Sequence, residues 1–199
     1  RDAMFSGKFQ GVMTPTTPLT VTMPDTGGRF QSLQLVNQDH YVPAVFYGAG
    51  THVLTQEMVG TRYVALLFRT FMDPGNPADV AAANALQDRI VVSQAAPGSF
   101  APGDWDETQR AALSKQLNGL MPYVAKGSRM FGAQDVVDPV QHLVGTAGGW
   151  GGNPARDAIY LSRTVPVNDG VTPYELTMRD VPVDGFWSII VYNAKGYFE

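Results

Sequence analysis

The densest group of chemistry-bearing side chains in the sequence is Asn37-Gln38-Asp39-His40-Tyr41. His40 is the residue type that exchanges protons near neutral pH, and Asp39 beside it can serve as a carboxylate partner. Neighbours in an extended chain point to opposite faces, however, so the two need not meet. The competing reading is a loop histidine held by a structural hydrogen bond. His52 and His142 lie far away in sequence. A metal site built from all three histidines is the least favoured reading, and no metal or cofactor is expected. Arg62 and Arg69 flank an apolar run, and either one turned inward would grip a carboxylate through two parallel N–H bonds. Arg62 is the candidate anion clamp of an Asp39–His40 catalytic group; its alternative is a surface or ion-paired role.

A second group follows Gly148-Gly149-Trp150-Gly151-Gly152. This stretch lacks the Lys and Ser/Thr of a phosphate-binding loop. It reads first as a tight connection at a helix end, because glycine adopts positive φ without strain. It reads second as a ligand rim with exposed amides, Trp150 as a stacking platform and Asn153, Asp157 and Tyr160 beside it. Asp157 alternatively stabilises the first turn of a short helix. Tyr41, Tyr47, Trp187 and Tyr192 are further candidates for a pocket wall, against the general tendency of aromatics to fill cores. The sequence has no nucleophile elbow, no paired-histidine zinc motif, no P-loop and no dinucleotide fingerprint.

The elements that must hold these groups change period along the chain. Leu19-Thr20-Val21-Thr22-Met23 alternates as a half-buried strand does. The turn cluster at residues 24–28 and the alternation over 29–37 predict a hairpin. Short strands are expected at 44–47 and 52–54, and a central strand covered on both faces at 62–70. Asn76-Pro77 opens a helix with Val80, Ala83, Leu86 and Ile90 inward. A second helix starts at Asp106 and buries Leu113, Leu117, Leu120, Met121 and Val124, with Pro122 ending or kinking it. A third starts at Asp138-Pro139 with Val140, Leu143 and Val144 inward. Strands then return at 158–165, 174–178 and 186–192. The expected fold class is α+β, mainly β: sandwich or jelly-roll-like strands around a three-helix insertion. The divisions fall at 1–75, 76–147 and 148–199.

Bulk properties exclude several classes. Gly (21) and Pro (14) are abundant in 199 residues and charged residues make up only 16%, which implies many turns and short elements. With 44% hydrophobic residues the chain has a core to bury, so it is not disordered. A net charge of -4 with scattered Lys and Arg argues against nucleic acid as a partner. No run is long enough for a transmembrane helix. Cysteine is absent, which removes disulfides and thiolate chemistry from this segment.

One resemblance spans nearly the whole chain. Val181-Pro182-Val183-Asp184-Gly185-Phe186-Trp187-Ser188, followed by Val191-Tyr192-Asn193-Ala194-Lys195-Gly196-Tyr197-Phe198, resembles the signature of the domain-of-unknown-function family numbered 1214. Leu19 to Asp25, Gly28-Arg29-Phe30 and Val59-Gly60-Thr61-Arg62-Tyr63 resemble the companion family numbered 1254, as does the opening Arg1-Asp2-Ala3-Met4-Phe5-Ser6. The departures are Ala3 where Thr is usual and Phe5 where Tyr is usual. The resemblance implies an immunoglobulin-like or jelly-roll sandwich pair with helices between. It implies a segment truncated at both ends, with a lost signal peptide, further strands and the family's cysteines beyond Glu199. It also implies a periplasmic or secreted location, a cytoplasmic one being the alternative. The expected function is binding of a small molecule or carbohydrate in a sandwich-end pocket. The alternatives are a hydrolase or lyase using Asp39, His40 and Arg62, and an envelope or assembly protein, possibly a homo-oligomer.

Overall fold

A computed structural model describes the backbone of residues 4–12 and, in full, residues 17–96, 98–101, 103–124, 129–161, 163 and 165–191. The fold is α+β, with two antiparallel sheets and several helices. One sheet has the order β1 (Met4–Val12), β6 (Tyr63–Met72), β3 (Gln31–Asn37), β4 (Val45–Tyr47). The other has the order β5 (Gly50–Leu54), β2 (Leu19–Met23), β7 (Val91–Gln94). Val21, Leu33, Leu35, Leu54, Leu66 and Phe68 come from both sheets and form one buried cluster, so the sheets share a core. β6 is the central strand, paired with β1 on one side and β3 on the other. Its even residues from Val64 to Met72 are buried, while Ala65, Leu67, Arg69 and Phe71 face the other way and are only half-buried.

The expected hairpin between residues 19–23 and 29–37 does not form. β2 pairs with β5 and β7, and β3 pairs with β4 and β6, so residues 24–30 carry the chain from one sheet to the other. The cause is tertiary. Phe71 N–H donates to Phe30 O at 3.0 Å, and Arg29 donates to Phe71 O at 2.7 Å, which fixes the start of β3 on β6. Gly27 and Gly28, at φ 63° and 91°, make the reversal that this path requires. The same arginine bonds both oxygens of Asp79, at 3.0 and 2.5 Å, and so ties the turn to α2 (Pro77–Asp88).

That pair has a pH signature. The Arg29 hydrogen bonds, then the Asp73 amide, hold the Asp79 carboxyl well below the usual range, at about 2. A depressed folded value means that the pairing supports stability above the ordinary carboxylate range near 4 and loses that support as pH falls through about 2. Urea midpoints measured from pH 5 down to 2 should fall more steeply for the native protein than for Asp79→Asn. Parallel slopes would remove this pair from the account of acid sensitivity.

Helix starts follow local capping chemistry. Asn76 accepts from Ala78 and Asp79 at the head of α2, and Asp106 from Thr108 and Gln109 at the head of α3 (Glu107–Asn118). Asp138 accepts from Val140 and Gln141 at the head of α5 (Pro139–Gly148). A short α1 (Gln56–Val59) and α4 (Met121–Val124) complete the helices. β7 lies between α2 and α3, so the middle of the chain is not purely helical. The expected apolar stripes are only partly inward. Leu113 and Leu120 are exposed and α3 buries no residue, while α5 buries His142, Val144 and Gly145 but exposes Val140 and Leu143. α3 and α4 pack on α5 rather than on the sheets, which leaves much of their apolar surface uncovered.

The strands expected at 158–165, 174–178 and 186–192 are absent among the described residues. Ile159, Leu161, Leu176 and Val191 are instead exposed. An apolar run says what a strand would bury; it does not supply the sheet edge that must accept its hydrogen bonds.

Candidate functional site

The outer face of the four-stranded sheet carries the polar cluster. Register places Gly7, Arg69, Ser32 and Tyr47 in one row across β1, β6, β3 and β4. Gln34 lies in the adjacent row, opposite Leu67. The glycine-rich loop lies over this face. Gln34 is fully buried, and its Nε2 donates to Gly151 O at 3.2 Å and Gly152 O at 2.9 Å. Its Oε1 accepts from Arg69 Nη1 at 2.7 Å, and Arg69 Nη2 reaches Gly151 O at 3.5 Å.

The loop's closeness explains its glycines. Gly151 has φ 69°, and a Cβ there would stand 3.0 Å from the Leu67 side chain. A Cβ on Gly152 would collide with the Phe131 ring. The stretch ends α5 and lies over the sheet face. One expectation is corrected, since the Gly151 amide is not open to a ligand. It donates to His40 Nε2 at 2.8 Å.

His40 is therefore an acceptor at Nε2, which puts its single ring proton on Nδ1 in the neutral form. Burial, then the neighbouring His142, push its pKa below the ordinary histidine value. The backbone there has φ 68°, uncommon for a residue with a side chain. The rings of Trp150 and His142 stand 5.9 and 6.5 Å from the His40 ring. Tyr41 stacks on His142 at 4.4 Å.

The Asp39–His40 pair does not form. The exposed Asp39 side chain makes no hydrogen bond to His40 among the described residues; its carbonyl oxygen meets His142 Nε2 at 3.0 Å instead. Arg62 is exposed, with its guanidinium 5.2 Å from the Tyr63 ring centre, and Arg69 is the arginine on the covered sheet face. His52 stacks on Phe46, so the three histidines do not converge. Among the described residues no group of three His, Cys, Asp or Glu side chains is placed to hold a metal ion.

Four of the pocket candidates meet in two pairs. Tyr47 donates to Asp157 at 2.7 Å, and Asn153 donates to the Tyr160 hydroxyl at 2.6 Å. Asp157 also pairs with the exposed Arg156 at 3.3 Å, and it sits in a turn closed on Pro154 O rather than at a helix start. Burial first, then the Asp157 carboxylate, raise the Tyr47 phenol to about 12, so it stays a donor. Burial lowers the Arg69 pKa, and the Tyr160 and Tyr47 hydroxyls oppose that shift, which places both hydroxyl groups in the field of the guanidinium. Trp187 is half-exposed, and Tyr192 lies outside the described residues. Gln34 is the residue that sequence reasoning missed. Gln34 had a signal: a polar residue between Leu33 and Leu35 in a strand buried on both faces.

No protein-family model matches the chain, and no curated protein matches it. Its fold is similar to the crystal structure of the VPA0106 protein from Vibrio parahaemolyticus, with a TM-score of 0.55 at 15% sequence identity. The match covers 75% of this chain and 57% of that one, so the chain spans little more than half the length of that protein. At this identity the likeness is one of fold.

Proposed function

We propose that the protein binds a small molecule through a carboxylate held by Arg69. The observation that carries this reading is the state of the guanidinium. It is half-buried on the sheet face, bonds two neutral oxygens, and has no carboxylate in salt-bridge range among the described residues. Two of its five N–H donors are engaged there. A cation withdrawn from water without a counter-charge is costly, and a bidentate carboxylate relieves that cost. Tyr47, Asn153 and Tyr160 supply polar groups beside it, and Trp150 a rim.

Ligand that binds only the folded state raises the melting temperature. Small carboxylates should raise it and their amides should not, at equal ionic strength. The gain should vanish in Arg69→Met and shrink in Arg69→Lys, which keeps the charge but loses the fork. Stabilisation by neutral sugars alone, or by carboxylates equally in Arg69→Met, would contradict the reading.

We also propose membership of the families numbered 1254 and 1214, with the extracytoplasmic location that this carries, on the motifs quoted above. Fractionation of cells expressing the native gene should recover the protein in the periplasm or medium. Recovery with the cytoplasm would overturn the location.

A further inference from the structure

We infer that His40 is a positioning residue of the Arg69 site and makes it pH-dependent: neutral His40 latches the glycine-rich loop over the guanidinium, and protonated His40 releases it. This rests on the reading of Arg69 as the carboxylate anchor. The latch is one hydrogen bond, from Gly151 N–H to His40 Nε2 at 2.8 Å. A backbone amide only donates, so Nε2 must offer its lone pair. Protonation puts an N–H there, facing the amide N–H, and the attraction becomes a repulsion.

Gly151 reaches the anchor through its carbonyl. That oxygen accepts from Arg69 Nη2 at 3.5 Å and from Gln34 Nε2 at 3.2 Å, while Gln34 Oε1 accepts from Arg69 Nη1 at 2.7 Å. His40 therefore holds one side of Gly151, and Gln34 and Arg69 hold the other. Lifting the loop takes Gly151 O from the guanidinium and lets water reach it. An ion pair in open water contributes little, so carboxylate binding should weaken when the latch opens.

The groups around the ring set where the latch opens. His142 of α5 stands 6.5 Å away, ring to ring, with Tyr41 stacked on its far partner face at 4.4 Å. Asp39 is next in sequence with its side chain exposed, and Arg69 lies beyond the Gly151 peptide. Phe131 and Trp150, at 6.0 and 5.9 Å, carry no charge. Burial, then His142, lower the His40 pKa. A lowered folded value means that His40 supports the closed loop above the ordinary histidine value near 6.5 and loses that support as pH falls through its own.

Amide exchange and formate titrations from pH 8 to 4.5, where formate stays mainly ionised, separate the two claims. In the native protein the protection factor of the Gly151 amide and the formate affinity should each fall by about three- to ten-fold, up to the worth of one hydrogen bond. His40→Gln offers an amide oxygen that accepts at every pH, so both of its profiles should be flat, whatever their absolute level. Should that variant not fold, NMR titration of the native rings takes its place: the loss of protection must share its midpoint with the His40 ring. A flat native profile, equal falls in native protein and His40→Gln, or a midpoint that follows His142 would overturn the latch. Protection lost with formate affinity unchanged would overturn its coupling to Arg69. Formate that binds at no pH would overturn the Arg69 reading, and the exchange profile would still decide the latch.

Discussion

Replacing Gln34 by Leu should lower the stability of the protein by about 3 kcal/mol, with little change in the volume of the side chain. The reason is the number of groups that this one amide satisfies. Its NH₂ serves the carbonyls of Gly151 and Gly152, and its oxygen takes a proton of Arg69. Leucine leaves two carbonyls and a half-buried cation without those partners. Each orphaned neutral group costs roughly 1–3 kcal/mol, and a charged one more, less what is recovered if the loop lifts into water. Urea unfolding gives the loss, and amide exchange at Gly151 shows whether the loop has lifted. A loss under about 1 kcal/mol, below the cost of a single orphaned group, would show that Gln34 does not hold the loop.

His142→Ala should cost about as much, near 3 kcal/mol, by a different route. The ring is buried, stacks on Tyr41 and meets two backbone carbonyls: Met130 O at Nδ1, 2.9 Å, and Asp39 O at Nε2, 3.0 Å. Only a ring N–H can serve a carbonyl, so a neutral imidazole serves one of them and a doubly protonated ring serves both. Alanine removes the stack, opens a void and takes the ring N–H from the carbonyl it serves. His142→Phe keeps the stacked ring and loses only the donors, so it should recover part of the loss. Equal costs for the two variants would place the whole effect in the hydrogen bonds; full recovery by Phe would place it in packing. A loss below about 1 kcal/mol for Ala would contradict the clasp.

What the sequence made legible was local. Asn76-Pro77, Asp106 and Asp138-Pro139 mark helix starts because a capping side chain bonds amides two and three residues on. Pairing across the sheets was not legible. The turn at 24–28 can close a hairpin, and only Arg29 reaching Asp79 and Phe71 O shows why it leads elsewhere. Asn153, Asp157 and Tyr160 are candidates by residue type and by proximity to the glycine-rich loop, and Tyr47 by residue type alone. The choice between Arg62 and Arg69 needed register. The two differ by an odd number of residues, so one regular strand cannot turn both to the same face. Alternation alone does not say which face the loop covers. That Gln34 and Arg69 meet required knowing that β3 pairs with β6.

The most direct measurement is a crystal structure of the protein soaked with acetate. The account predicts carboxylate oxygens within hydrogen-bond distance of the Arg69 guanidinium, under the loop held by Gln34 and His40. Arg69 paired instead with a carboxylate of the protein, or the soaked acid bound with no contact to Arg69, would contradict it.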